Sequence, residues 1–150
     1  SSKYGSTLDC AKSLNLPGSV SLVDIGKTNP KTISLEHFDT IIFGSSIYIG
    51  AISKKMRAFC NDNIDLLSKK RVGIFLCCAF PAQINEYLST NFPSELLKSA
   101  VVVKYFGGEA RMDKMKAFDK MIMKAATKGN CENLKISHEN IESFIKEISL

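Results

Sequence analysis

The sequence predicts an α/β fold built on a parallel sheet. Short runs rich in β-branched residues alternate with longer amphipathic stretches, a pattern typical of strands joined by helices. Two of the runs, at residues 38–43 and 71–78, are apolar at almost every position, which indicates strands buried on both faces. With 150 residues and 45% apolar side chains the chain has the size of one domain, and we expect residues 1–150 to form it.

The individual elements follow from the local periodicity. Strands are predicted at residues 20–25, 38–43, 71–78 and 100–106. Helices are predicted at residues 7–16, 52–67, 83–97, 113–128 and 137–148. Thr7 is the expected N-cap of the first helix, and Pro93 should interrupt the third. The last helix should begin at Ser137 and turn Ile141, Phe144, Ile145 and Ile148 inward.

The first seven residues, Ser-Ser-Lys-Tyr-Gly-Ser-Thr, have the composition of a phosphate-binding turn. Such a turn directs backbone N–H groups and hydroxyls to one point, and the following helix adds the positive end of its dipole. Alone, the segment fits an ordinary helix cap equally well, but the Gly- and Ser-rich residues 44–50 after the next buried strand favour a ligand. Since a turn of this kind should follow a buried strand, we expect a strand of about six residues before it.

Four segments are predicted to meet at one edge of the sheet. In a doubly wound sheet, ligands bind beyond the carboxyl ends of the strands. The segments in that position are residues 2–7, 44–50, 78–81 and 107–111, and most of them are rich in Gly, Ser or aromatic residues. Together they could hold a phosphate, a polar chain and a flat ring.

These segments resemble the flavodoxin-like family, whose phosphate loop has the pattern Ser/Thr-x-Thr-Gly-x-Thr. Ser2, Gly5 and Thr7 match it, Tyr4 replaces the second threonine, and Gly44-Ser-Ser-Ile-Tyr-x-Gly50 matches the loop beside the flavin ring. The resemblance implies a doubly wound, three-layer α/β/α sheet of strand order 2-1-3-4-5, with the first strand missing from the chain as given, and FMN as cofactor. The implied phosphate contacts are Ser2, Lys3, Tyr4, Gly5, Ser6 and Thr7. The implied ring contacts are Ser45, Ser46, Ile47 and Tyr48 on one side and Cys78, Ala79 and Phe80 on the other.

Residues 106–111 and 116–124 resemble the flavodoxin-domain branch that includes menaquinone-dependent protoporphyrinogen IX dehydrogenase. Three functions therefore stay open at this point. The first is an FMN-binding electron-transfer protein, the second a quinone-linked protoporphyrinogen dehydrogenase of haem biosynthesis, and the third a non-redox module that binds a phosphorylated ligand. In the first two the redox chemistry belongs to the flavin, so we expect no catalytic side chain.

The charge of the chain bears on its partners. A net charge of +5 permits an acidic partner but is modest for a nucleic-acid binder, and we expect none of that class. A redox protein or a quinone is the expected partner. The apolar stripe of residues 113–128 should pack on the sheet and leave its lysines in solvent, whereas in the alternative this basic helix meets an anionic membrane. No apolar stretch is long enough to span a bilayer, so we expect a cytoplasmic protein, with contact at the inner face of the membrane as the alternative.

The remaining reactive side chains suggest no further chemistry. The cysteines are odd in number and lack zinc-ligand spacing, which indicates reduced thiols; they are Cys10, Cys60, Cys77, Cys78 and Cys131. The side chain of Cys78 should lie in the core, with nearby backbone N–H groups facing the ligand. Arg111 is expected to be an ordinary surface charge. His37 and His138 have no partner cluster, and we expect no metal site.

Overall fold

Three parallel strands carry the fold in a computed structural model that describes residues 3–131 and 134–150. They are β1 (Thr40–Ser46), β2 (Arg71–Cys77) and β3 (Val102–Tyr105), paired side by side in the order β1-β2-β3. Thr40 is in register with Arg71 in the first pair, and Gly73 with Val102 in the second. The α/β class and the parallel sheet predicted from the sequence are confirmed.

Helices connect and cover these strands. They are α1 (Ser6–Ser13), α2 (Lys54–Asp62), α3 (Ile64–Leu67), α4 (Ile84–Asn91), α5 (Ser94–Ser99), α6 (Ala117–Ala126) and α7 (His138–Ile148). Single 3₁₀ turns lie at Pro30–Thr32 and Pro81–Gln83. The interruption predicted at Pro93 is confirmed, since the chain is extended there between α4 and α5.

Alternate side chains of β2 enter two different cores, which places the sheet between two helical layers. Val72, Ile74 and Leu76 belong to one hydrophobic cluster with side chains of α2 to α5. Phe75 and Cys77 belong to the other, together with side chains of α1 and α7. The near-continuous apolar sequence of this strand is therefore explained by burial on both faces.

The last helix illustrates how local signals fix an element. The Ser137 Oγ accepts a hydrogen bond from the Asn140 backbone N–H at 3.2 Å, as an N-cap does. Ile141, Phe144 and Ile148 are buried at helical spacing, as predicted, while Ile145 is partly buried. By contrast Thr7 is not the N-cap of α1, because Gly5 takes that position at φ +95°.

The predicted strand at residues 20–25 is wrong. These residues form no strand, and Val20 and Leu22 are 61% and 48% exposed. A strand needs a neighbour to pair with, and nothing in the part of the chain that the structure describes pairs with this segment. Between it and β1 lies a groove of about 730 Å³, walled by α1, Ile41, Phe43 and Leu22. The observed order β1-β2-β3 covers the last three positions of the predicted order 2-1-3-4-5, and its first two positions are not observed.

Two predicted helices also differ from the structure. Residues 52–67 split at Asn63, whose Nδ2 donates to the Phe59 backbone oxygen at 2.8 Å and closes the end of α2. Residues 113–128 yield the shorter α6, which turns Ile122 toward the domain but leaves Phe118 and Met121 62% and 60% exposed. The predicted apolar stripe is therefore only half covered.

Candidate functional site

The carboxyl ends of the strands surround a cavity of about 230 Å³. Nine of the predicted site residues line it: Lys3, Tyr4, Ser6, Ser46, Ile47, Tyr48, Cys78, Ala79 and Phe80. Parallel strands bring the loops that follow them to one edge of the sheet, which is why segments far apart in sequence meet here. The cavity is closed on one side by α6, through Asp119, Ile122 and Met123.

Three of the remaining predicted residues, Gly5, Thr7 and Ser45, do not line the cavity. Ser2 lies outside the described residues. Gly5 forms the turn before α1, and Ser45 is buried in β1 with its Oγ donating to the Ser46 backbone oxygen at 3.2 Å. Thr7 is buried, and its Oγ1 has no hydrogen-bond partner among the described residues. Thr7 and Ser45 are therefore buried residues outside the cavity lining.

The start of α1 has the chemistry of an anion site. Gly5 adopts φ +95°, a conformation that only glycine takes without strain, and so directs the chain into the helix. The amides of the first helical turn have no acceptor within the helix, and the dipole places positive potential there. Lys3 and Ser6 extend this donor set into the cavity.

Arg111 contributes a further cation to this turn. A side chain at Gly5 would meet the Arg111 Nη1 at 3.0 Å, and Arg111 forms ion pairs of 2.7 Å with both Asp9 and Glu109. Its side chain is only 18% exposed in those pairs. The expectation of an ordinary surface charge is wrong, because two carboxylates hold this guanidinium against the glycine turn.

Tyr48 stands at the base of a tight two-residue turn. Its backbone N–H donates to the Ala51 oxygen at 2.9 Å and its oxygen accepts from the Ala51 N–H at 3.1 Å. Ile49 and Gly50 between them have φ +49° and +74°, as a type I′ turn requires. A β-branched residue such as Ile49 is strained in that region, and strain of this kind is concentrated at functional sites.

Asn91, on α4, holds the far side of this turn. Its Nδ2 donates to the Gly50 oxygen at 3.0 Å, and its Oδ1 accepts from the Ile52 N–H at 3.0 Å. Buried and fully bonded, Asn91 fixes the loop that carries Tyr48. The sequence offers no signal for this residue, since the contact spans 41 positions of the chain.

The loop after β2 forms the opposite wall. The Cys78 backbone N–H donates to the Gly107 oxygen at 3.0 Å, so this donor is engaged within the protein rather than facing the cavity. Burial raises the pKa of the Cys78 thiol, which keeps it protonated and unreactive. Ala79 and Phe80 continue the wall, and the prediction that these residues flank a ring stays a prediction.

Asp119 joins the residues before α1 to the loop that carries Tyr48. Its carboxylate lies 2.9 Å from the Lys3 Nζ, accepts a 2.5 Å hydrogen bond from the Tyr48 hydroxyl, and accepts another from the Tyr4 hydroxyl. The Lys3 Nζ also lies 3.3 Å from the centroid of the Tyr48 ring, a cation–π contact. Burial lowers the pKa of Lys3, but the hydrogen bonds to Asp119 and Tyr48 raise it more, so the ammonium stays charged.

The site holds donors and apolar walls but no metal ligand set. Within residues 3–131 and 134–150 no three His, Cys, Asp or Glu side chains are grouped so that they could hold a metal ion. The donor set, an ammonium, hydroxyls and helix amides, suits a phosphate, and Ile47, Phe80 and Met123 suit a flat ring beside it. None of the described helices is both long and apolar enough to span a membrane.

Comparison with known proteins agrees with this chemistry. The model of the flavodoxin domain family matches residues 1–134. No curated protein matches the chain.

Proposed function

The chain belongs to the flavodoxin domain family, whose general function is flavin-dependent redox chemistry, and on that premise we propose that it binds FMN in the 230 Å³ cavity and transfers electrons through it. The observation that carries the proposal is the convergence of residues 3–6, 46–50 and 78–80 on one cavity at the carboxyl edge of the sheet. A bound flavin would supply the electron transfer itself.

The role of the chain is to bind and orient the flavin. The amides at the start of α1 and the Lys3 ammonium would hold the phosphate. Tyr48 and Phe80, on opposite loops, would flank the ring, and their apolar surfaces would exclude water from it. Asn91 would keep the Tyr48 loop in place.

The test is reconstitution with FMN, followed by the visible absorbance of oxidised flavin and by quenching of its fluorescence. We expect FMN to bind more tightly than riboflavin, which lacks the phosphate. Lys3→Met should reduce the preference for FMN over riboflavin about 10-fold or more, because a charge-assisted contact to phosphate is lost. Lys98→Met, on the exposed face of α5, is the matched control. Colourless protein with no preference for the phosphorylated form would contradict the proposal and would favour a non-redox ligand.

A second proposed activity is the quinone-linked oxidation of protoporphyrinogen, and the exposed surface of α6 favours it. Phe118 and Met121 lie exposed beside Lys116 and Lys124, a combination of apolar and basic groups suited to an anionic membrane in which a quinone is dissolved. Anaerobic turnover of protoporphyrinogen with a menaquinone analogue tests the activity. Binding to lipid vesicles tests the surface, and Phe118→Ser should lower binding to anionic vesicles. Equal binding of the unchanged protein to anionic and to neutral vesicles would contradict the membrane proposal.

A further inference from the structure

We propose that Asp119 is an internal latch of the flavin site, whose carboxylate occupies the donors that the phosphate and ring of FMN would use. This inference rests on the proposed function for the identity of the ligand. The latch itself, however, is a contact within the protein and can be measured without any flavin.

The first argument is that the carboxylate already engages one cationic and two hydroxyl donors of the cavity. The Lys3 Nζ lies 2.9 Å from Asp119, and the hydroxyls of Tyr4 and Tyr48 both donate to it. Carboxylate and phosphate oxygens accept the same charge-assisted hydrogen bonds. A phosphate that binds Lys3 must therefore share or replace the Asp119 contact.

The second argument concerns the face of Tyr48. The Lys3 ammonium covers this ring at 3.3 Å from its centroid, so no flat ligand can stack there while the latch is closed. The cavity of about 230 Å³ is also below the range of about 300–1,000 Å³ usual for organic ligands. Both observations describe a closed site that has to open before a flavin enters.

The third argument is that α6 has few other ties. Its residues Phe118 and Met121 are exposed, and the ten residues before it, 107–116, contain no helix or strand. Gly107, whose oxygen accepts from the Cys78 N–H and which bridges to Ile136, anchors only the start of that connection. A short helix with little apolar burial opens at low free-energy cost, so the Asp119 contacts supply much of what holds it.

The experiment compares Asp119→Asn with the matched control Asp113→Asn. Asp113 is exposed, precedes the same helix and lies outside the cavity lining, so its substitution removes the same charge without touching the latch. Amide hydrogen exchange without ligand should become at least several-fold faster at residues 117–126 and at residues 4–8 in Asp119→Asn, and should stay unchanged in Asp113→Asn. Tyr48→Phe, which keeps the ring and removes one donor, should show a smaller change of the same direction.

Ligand binding provides the second readout, with inorganic phosphate and FMN as the probes. Asp119→Asn should bind both about 10-fold more tightly than Asp113→Asn does, since the competing carboxylate is gone. Weaker binding would overturn the inference, because Asp119 would then support the ligand rather than compete with it. Unchanged exchange at residues 117–126 would also overturn it. If amide exchange is faster in Asp119→Asn and the protein binds phosphate but not FMN, the latch is upheld and the proposal that FMN is the ligand is refuted.

Discussion

Gly44→Ala tests how closely β1 packs against the Phe75 side chain of β2. Gly44 is directly opposite Phe75 in the parallel pair β1–β2, and Phe75 leans across it. A Cβ on Gly44 would lie 2.2 Å, 2.6 Å and 2.9 Å from three atoms of the Phe75 ring. All three distances are shorter than real contacts allow, so the ring must move.

The cost of that movement can be worked out from the contacts of Phe75. Its ring stacks on Phe106 at a centroid distance of 4.3 Å and meets Phe144 edge-on at 6.0 Å. Overpacking a core costs about 1–3 kcal/mol, and each aromatic pair that is disturbed adds about 0.5–1.5 kcal/mol. We therefore expect Gly44→Ala to lower the free energy of unfolding by about 2–6 kcal/mol. For a domain of this size the midpoint of thermal unfolding should fall by roughly 4–24 °C.

Urea denaturation monitored by circular dichroism measures this decrease in the free energy of unfolding. Gly44→Ala should lower the free energy of unfolding by less when it is added to Phe75→Leu than when it is made alone, since the smaller side chain leaves room for the methyl group. Gly18→Ala is the control for an alanine that meets no neighbour: nothing lies within 4 Å of its Cβ, although its φ of +86° adds strain of its own. A loss under about 1 kcal/mol, or an equal loss when Gly44→Ala is added to Phe75→Leu, would show that the clash is not what makes Gly44 necessary.

Three further predictions concern local features. Ser137→Ala should lower the free energy of unfolding by about 1 kcal/mol, because α7 loses its N-cap; an unchanged urea midpoint would argue against the cap. Cys60 should resist thiol reagents at pH 9 in the folded protein, since burial raises its pKa to about 12, and should react at once in denaturant; fast labelling of the native protein would contradict this. The hydrogen bond from Arg111 lowers the pKa of Asp9. This hydrogen bond therefore stabilises the fold at neutral pH, and its stabilising effect is lost as the pH falls below 3.8, the usual pKa of an aspartate. In Asp9→Asn the free energy of unfolding should therefore differ less between pH 6 and about pH 3 than it does in the unchanged protein. The same pH dependence in both proteins would refute the pairing.

The sequence was sufficient where the signals are local. The helix α7 begins and ends within one residue of its predicted bounds, because its cap at Ser137 and its stripe through Ile141 and Phe144 are both encoded in adjacent turns. The strand β2 was likewise visible as an apolar run, since a strand buried on both faces tolerates almost no polar residue, and β3 was visible from the β-branched residues at positions 101–103.

The candidate site likewise has a part that could be predicted from the sequence and a part that could not. The gathering of Lys3, Tyr48 and Phe80 follows from topology alone, because the loops that follow parallel strands share one edge. Asp119 and Asn91 could not be predicted. Their contacts join positions 115, 71 and 41 residues apart, and no local pattern records a side-chain hydrogen bond over such a separation.

The failed prediction at residues 20–25 leads to a last test. Their β-branched pattern fits a strand, but Val20, Leu22 and Val23 are 61%, 48% and 43% exposed on the wall of the groove beside β1. One parallel strand in that groove would pair with β1 and cover these side chains. At about 1.5–3 kcal/mol for a whole side chain, burying the exposed half of all three contributes about 2–4 kcal/mol in total.

We expect that six alternating Val and Ile residues joined before Ser1 raise the urea midpoint and protect the amides of residues 20–25 from exchange, whereas six Ser and Gly residues there do neither. The comparison separates pairing from mere length, because the two extensions are equally long but only the Val and Ile residues can bury apolar surface on both faces. Equal stability of the two extended proteins would mean that the groove does not accept a strand, and that the exposure of Val20 and Leu22 has another cause.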